Sequence, residues 1–357
     1  DPGFDTEAVV KAQYQLPGSR YPTDYSRWPD FPEITSFHQR FLQEVRSLPG
    51  GERAAVAGGH PLDPGFTNSF VIVGREAESA DFPEIRTRFI SSGYLETLGV
   101  ELLEGRAIRP GDDVEAPPVT LINSAAAEAY FPDGALGQEI VFWGIPRRIV
   151  GVMENEKFQG VDRPAEPAAY APLAQNPQPA ATVLIRTAGD PLAVTPGLRR
   201  ALRAVDPEIA LYDVEPLAAT LARSIARPRF LATLLALFGG LAILLALIGI
   251  HGVMSYTVAR RRTEVGIRMA LGASHSAVIR SVVGEGLALA GLGLALGLAG
   301  ALMGANLLES LVFGVTTTDP ATFAAVSLLV LGTAATATAL PALRAARADP
   351  ARALRAE

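Results

Sequence analysis

Three runs of uncharged residues dominate the last third of the chain. Phe230–Thr257 is 28 residues long, Gly286–Leu308 is 23 and Pro320–Leu343 is 24, and none holds an Asp, Glu, Lys or Arg. About 20 apolar residues cross a bilayer as a helix, whereas helices of globular proteins run roughly 8–20 residues in all. The runs therefore read as membrane spans at about 230–257, 281–309 and 320–343. The competing reading, three buried helices of a soluble core, needs other protein wrapped around every one of them.

The rest of the composition divides the same way. Only 19% of residues are charged, against about 25% in a typical soluble domain. From Arg227 onward the chain carries a net charge of +5, whereas residues 1–226 carry −11. An acidic front and a basic, apolar back predict two environments, with domains at 1–226 and 227–357. There is no cysteine, which excludes a disulfide framework, thiol catalysis and cysteine metal sites. No charged-then-apolar leader precedes the acidic part, and the chain starts at Asp1. A piece of a longer protein is expected.

Arginine placement orients the spans. The link between the first two holds Arg260, Arg261, Arg262 and Arg268, and the tail holds Arg344, Arg347, Arg352 and Arg355. The link "ESLVFGVTTTD" between the second and third has no basic residue. The first link and the tail are thus expected inside, and the 310–319 loop and the large acidic domain outside. Arg223, Arg227 and Arg229, just before the first span, pull the other way. Two basic clusters outweigh one.

The second span holds Gly293/Gly297 and Gly300/Gly304, with Gly286 one heptad before Gly293. Paired small residues at this spacing let another helix approach closely, and the small-residue run "GTAATATA" of the third span is the expected neighbour. Chance pairing in an Ala- and Gly-rich segment is the alternative. Glu285 and Glu309 flank this span, and a carboxylate at membrane depth is costly and often functional, although near the interface it is usually snorkelling or capped. His251 is expected to be a hydrogen-bonded structural residue of the first span.

Residues 1–226 read as mixed α and β. "VVKAQYQLP" is strand-like, and the segment "TSFHQRFLQEVRSLPG" places Phe37, Phe41, Leu42, Val45 and Leu48 on one helical face, closed by Pro49-Gly50. "RAAVAGG" is a second strand. Far downstream "ATVLIRTAG" is a strand, Asp190-Pro191 a cap and first helical residue, and "IALYDVE" the next strand after a helix carrying Val194, Leu198, Leu202 and Val205. The two ends repeat strand–helix–strand, as one subdomain built from two similar halves. Between them, at about 82–175, lies an insertion of short strands and turns. In it Ser92–Leu98 reads as a helical turn or two, Asn123 as the cap of a helix from Ser124 to Tyr130, and "FPDG" as a turn.

Catalytic patterns are missing. No G-x-x-x-x-G-K-[ST] loop occurs, and the two lysines, Lys11 and Lys157, follow no glycine loop. The four histidines form no H-E-x-x-H, there is no G-x-S-x-G elbow, and Asp112/Asp113 are turn carboxylates. The arginines make no nucleic-acid face. No catalytic residue, cofactor or metal site is expected in this chain.

One stretch asks for more than topology. In "RRRTEVGIRMALGAS", residues 260–274, a helix over Thr263–Leu271 would bring Arg261, Glu264 and Arg268 onto one side. Glu264 precedes Arg268 by four, the favoured order for an ion pair. Val265 and Met269 form an apolar patch on another side, and Ile267 and Leu271 on a third. Arginines holding a loop inside account for Arg260–Arg262, but not for a mixed apolar and charged helix directly after them.

This stretch resembles the coupling segment of FtsX-like/MacB-like ABC transporter permeases, and "PALRAARADPARALRAE" resembles their C-terminal ending. "FISSGYLETLGVELLEGRAI" and "PPVTLINSAAAEAYFPDGALGQEI" are similar to the periplasmic core domain of that superfamily. The resemblance covers nearly the whole chain. It implies an α+β extracytoplasmic domain, with a porter-like subdomain and an inserted β-rich one, followed by a three-helix transmembrane α-bundle in the bacterial inner membrane. It further implies that Glu264, Val265, Gly266, Ile267, Arg268, Met269, Leu271 and Gly272 contact a separate cytoplasmic ABC ATPase. A second permease half is implied as well, either another copy or a covalent repeat, and so is a periplasmic protein partner. The implied function is a mechanotransmission permease serving export. An FtsX-like signalling protein controlling a cell-wall hydrolase is the alternative. A secondary transporter fits poorly with three spans and almost no intramembrane charge. Members of the family carry a transmembrane helix before the periplasmic domain, and none is seen before Asp1, which strengthens the expectation of truncation.

Overall fold

The computed structural model describes residues 2–24, 26, 28–161, 163–260, 267, 274–308 and 320–346. They fall into two compact units, Asp1–Arg227 and Pro228–Glu357.

The first unit begins with β1 (Val9–Gln15), α1 (Pro32–Arg46) and β2 (Gly51–Ala57). Pro32 starts α1 at a position where its missing N–H costs nothing. Ile34, Phe37, Phe41, Leu42 and Val45 recur at helical spacing and are buried, with the Phe37 and Phe41 rings against Tyr14 of β1. After β2 the chain leaves for the inserted part and returns at residue 180, so the counterpart elements come last. In between lie β3 (Phe66–Asn68), β4 (Val71–Ile72), α2 (Glu76–Ser79), β5 (Ile85–Ile90), α3 (Tyr94–Leu98) and β6 (Leu102–Gly105). They are followed by β7 (Val119–Asn123), α4 (Ser124–Tyr130), β8 (Glu139–Phe142), β9 (Ile145–Met153) and β10 (Ala168–Pro172). The return consists of β11 (Ala180–Thr187), a 3-10 turn at Pro191–Val194, α5 (Thr195–Val205) and β12 (Tyr212–Pro216).

Strands β12, β1, β11 and β2 lie side by side in that order, each antiparallel to its neighbour. Each half contributes one strand–helix–strand unit, and α1 and α5 pack together, which makes a split β-α-β arrangement. The sheet continues through β5, β10, β7, β9, β8 and β4, with β3 on β5 and β6 on β9. Sequence reading separates the two parts, yet they share one twelve-stranded sheet. The join is narrow: β2 meets β5 through the single pair Ala57↔Ile90. The inserted part also starts earlier than residue 82. β3 pairs with β5 and β4 with β8, but runs of three and two residues carry no readable alternation.

Alternate residues feed two buried clusters. Ala54 and Val56 of β2, with Val183 and Ile185 of β11, join Tyr14, Phe37 and Phe41 in one. Ala55, Ala57 and Leu184 join Tyr94, Leu98 and Tyr170 in the other. A strand's side chains alternate between faces, so one short strand serves both clusters.

Helix α6 (Leu217–Arg260) is continuous for 44 residues. Leu217 at its start is fully buried in the second cluster. The second unit adds α7 (His275–Leu308) and α8 (Pro320–Ala346). By length and composition α6 and α7 are long and apolar enough to cross a membrane, while the apolar stretch identified in α8, Phe323–Ala339, is shorter. Two candidate spans are therefore indicated by length and composition among the described residues, where sequence reading expects three. The 310–319 loop and the arginines of the tail from Arg347 onward lie outside the described residues.

Candidate functional site

Of the residues expected to meet an ATPase, Glu264, Val265, Gly266, Arg268, Met269, Leu271 and Gly272 lie outside the described residues. Ile267 is described and is 46% exposed. The ends of the link are defined. The Arg260 guanidinium sits 5.7 Å from the Tyr256 ring centroid at the end of α6. At the start of α7, Ser274 Oγ accepts a hydrogen bond from Ala277 N at 3.3 Å, the arrangement that satisfies free N–H groups of a first helical turn.

The glycines of α7 divide by environment. A side chain at Gly286 would overlap Thr338 of α8, and Ala290, Ala334, Ala337 and Thr338 are buried around this approach. Gly293, Gly297 and Gly300 have open space where a Cβ would stand, and Gly304 lies further along α7. His251 of α6 is 3.1 Å from the carbonyl oxygen of Ala337 through Nδ1, with Ser255 Oγ 3.5 Å from Nε2. The apolar face of α6 is otherwise open: Phe230, Leu237, Phe238 and Ile248 are each at least 60% exposed.

The start of α6 is anchored by charge. Lys11 in β1 is buried, 1% exposed, and its Nζ pairs with Asp213 and, at 3.1 Å, with Glu215. Glu215 Oε1 also accepts from Thr220 Oγ1 at 2.7 Å, and the carboxylate takes both terminal nitrogens of Arg223. Burial works against a charge on Glu215, but the bonds from Arg223, Thr220 and Lys11 outweigh it and hold its pKa down at about 2. A buried ammonium is tolerated only when paired. The sequence carries a signal for this cluster, a lysine inside the apolar strand "VVKAQYQ". Its partners lie some two hundred residues away and are invisible from that strand alone.

A second buried pair holds the inserted part together. Arg88 of β5 pairs with Glu156, both almost fully buried. Tyr94 Oη donates to Glu156 at 2.9 Å, Arg88 donates to the Asp63 carbonyl oxygen at 2.9 Å, and its guanidinium lies 4.5 Å from the Phe158 ring centroid. Among the described residues no cluster of His, Asp and Glu could hold a metal ion.

Comparison with known proteins adds a family. The model for the MacB-like periplasmic core domain matches residues 13–201, and that for the FtsX-like permease C-terminal region matches residues 236–350. The pyoverdine export ATP-binding/permease protein PvdT of Pseudomonas savastanoi pv. phaseolicola is 29% identical over 275 residues, covering 72% of this chain and 40% of that protein. The macrolide export ATP-binding/permease protein MacB of Escherichia coli is 26% identical over 275 residues, covering 71% and 40%. The uncharacterized ABC transporter permease YvrN of Bacillus subtilis is 26% identical over 240 residues, covering 60% and 56%. The matched part of this chain thus spans about two fifths of the export relatives. Among solved structures, the periplasmic region of MacB from Actinobacillus actinomycetemcomitans aligns with a TM-score of 0.42 at 13% identity, covering 63% of this chain and 94% of that one. With the two family models matched in sequence order over most of its length, the chain belongs to the FtsX-like permeases that carry a MacB-like periplasmic core domain.

Proposed function

We propose that the chain is the permease part of an ABC exporter of the mechanotransmission type, in the bacterial inner membrane. A separate cytoplasmic ATPase would seat on Glu264–Gly272, and its closure would move the ends of the membrane helices and, through them, the periplasmic domain. The observation that carries this reading is the continuity of α6. It starts in the core of the periplasmic domain, is braced there by the Lys11–Glu215–Arg223 cluster, and runs unbroken through the first apolar run. Its 44 residues join the domain to the apolar run through hydrogen-bonded backbone. The relatives named as export ATP-binding/permease proteins support the direction of transport.

In this reading α8 is a third span. Its 27 residues measure about 40 Å, longer than the roughly 30 Å hydrocarbon core. The chain itself performs no chemistry, and the energy comes from the partner. A second permease half, a copy or a covalent repeat, completes the seat for an ATPase pair, and a periplasmic protein meets the outer domain.

A photoreactive amino acid at Ile267, irradiated in native membranes and followed by mass spectrometry, tests the seat. An adduct with an ATP-binding subunit is expected. If no such adduct forms and position 267 reacts with a membrane-impermeant thiol reagent from outside after Ile267→Cys, both the topology and the permease reading fail.

A further inference from the structure

A cleft of about 360 Å³ opens in the first unit beside the narrow join of the sheet. One wall is α1, through Thr35, His38, Leu42 and Arg46, and the other is the segment Ile108–Asp112. Its floor is made where the parallel strands β5 and β10 end, at Ile90-Ser91-Ser92 and Pro172-Leu173. The crevice at the carboxyl ends of adjacent parallel strands is where open α/β sheets take ligands, and the volume falls at the small end of small-molecule sites. Both parts of the domain contribute to it, so an occupant would touch each of them.

The chemistry of the lining is one-sided. Its body is apolar, from Leu42, Val56, Ile90, Ile108 and Leu173. His38 brings no charge. Its Nδ1 accepts from Tyr14 Oη at 2.7 Å, and Nε2 then donates to the Gln178 carbonyl oxygen at 2.8 Å. The carboxylate of Asp112 is already spent. Both its oxygens are taken by Arg106, at 2.8 and 2.9 Å, and one also accepts from Arg109 N at 2.7 Å. Two arginines, Arg46 and Arg109, are the remaining charged residues of the lining. Among the described residues Arg46 hydrogen-bonds neutral acceptors, the carbonyl oxygens of Ala54 and Ser92 and the Ser92 hydroxyl, while the charge of Glu96, outside the lining, acts on it through space. The Arg109 guanidinium has no hydrogen-bonded carboxylate among the described residues, and the nearby Asp112 charge, already bonded to Arg106, acts on it through space. An apolar chamber with two cations and no uncommitted anion complements an amphipathic anion.

We infer that this cleft binds a small amphipathic carboxylate, its apolar body between α1 and Ile108 and its carboxylate on Arg46 and Arg109. The inference stands independently of the ATPase partner and of transport.

The test uses the full chain in lipid nanodiscs, with a trifluoromethyl-diazirinyl benzoic acid as probe and its methyl ester as the neutral twin. After irradiation, adducts are mapped on peptides spanning residues 35–46 and 90–112, apart from the background on α6, α7 and α8. The acid is expected to label these peptides at least 5-fold more than the ester. Arg109→Glu, at an exposed position, is expected to cut acid labelling by at least 5-fold and leave ester labelling unchanged, with an unaltered melting temperature showing an intact domain. Arg109→Gln should act in the same direction. Competition separates two sources of carboxylate: displacement by decanoate marks an acyl chain from the membrane, and displacement by benzoate alone marks a water-borne aromatic acid. Equal labelling by acid and ester overturns the inference. So does acid labelling that survives Arg109→Glu, or that neither competitor reduces at 100-fold excess.

Discussion

Glu156→Ala should be the most damaging single substitution in the periplasmic domain that touches no surface. It removes the anion facing Arg88 and leaves a buried guanidinium with the Asp63 carbonyl, the Tyr94 hydroxyl and the Phe158 face as its company. Breaking a buried pair on one side costs about 3–5 kcal/mol, because the surviving charge stays desolvated. For a domain of this size each kcal/mol moves the melting temperature by about 2–4 °C, so a drop of roughly 6–20 °C is expected. The assay is built into the chain. Its two tryptophans, Trp28 and Trp143, both lie in the first unit with ring centroids 5.5 Å apart, so intrinsic fluorescence follows that unit without interference from the membrane helices. The double variant Arg88→Met with Glu156→Leu removes both charges and should recover most of the loss, since a well-packed apolar replacement is often neutral or better. The reasoning is refuted if Glu156→Ala melts within about 2 °C of the parent, or if the double variant is worse than the single one.

Other outcomes follow from the same contacts. Burial holds the His38 pKa down at about 4, below its unfolded value, so its contribution of about 3 kcal/mol is complete above pH 6.5 and is lost as pH falls from 6.5 to 4. His38→Gln should flatten the melting temperature over that window. Glu215 acts further down: its depressed pKa stabilises the fold above about 4.5, and this is lost as pH falls towards 2, a slope that Glu215→Gln should reduce. Gly286→Leu should strain the α7–α8 approach at Thr338 by about 1–3 kcal/mol, read as earlier thermal aggregation in detergent. Gly297→Leu, which meets open space among the described residues, should be silent in the isolated chain. Asn123→Ala loses the α4 cap together with bonds to Ala168 N and the Glu166 carbonyl oxygen, and should lower domain stability by about 2 kcal/mol.

Local features of the periplasmic domain were legible because they are encoded within a few residues. The Phe37–Val45 stripe marks α1, Asn123 caps α4 through Ala126 N, and Asp190 caps the turn that leads into α5 through Leu192 N. The pairing of the two strand–helix–strand ends was visible as a repeat of pattern. What escaped depends on distance along the chain. β3 and β4 become strands only because β5 and β8 are there to pair with them. Lys11 finds Asp213 and Glu215 across two hundred residues, and the cleft brings α1 against a loop seventy residues later. The glycine spacing of α7 was plain, but spacing does not say which neighbour each glycine meets. Gly286 meets Thr338, whereas Gly293, Gly297 and Gly300 meet nothing among the described residues. The coupling segment remains a sequence pattern: between its ends at Arg260 and Ser274 the structure describes Ile267 alone.

The narrow join between β2 and β5 has a mechanical consequence. Strands β1 and β11 share load over a register of seven residue pairs, whereas the ladder between the two parts of the sheet is Ala57↔Ile90 with three hydrogen bonds nearby. These run from Gly58 N to the Phe89 carbonyl oxygen, from Ser91 N to the Val56 carbonyl oxygen and from Val56 N to Ser91 Oγ. The ladder is backed by the bonds of Arg46 to Ser92 and of Arg186 to the Thr97 carbonyl oxygen and by the packing of α3 on β2 and β11. Backbone bonding within the sheet is therefore thinnest at this boundary. The stiffness of the seam accordingly rests on the side chains packed over it, the two clusters that draw on both parts, more than on the ladder beneath them.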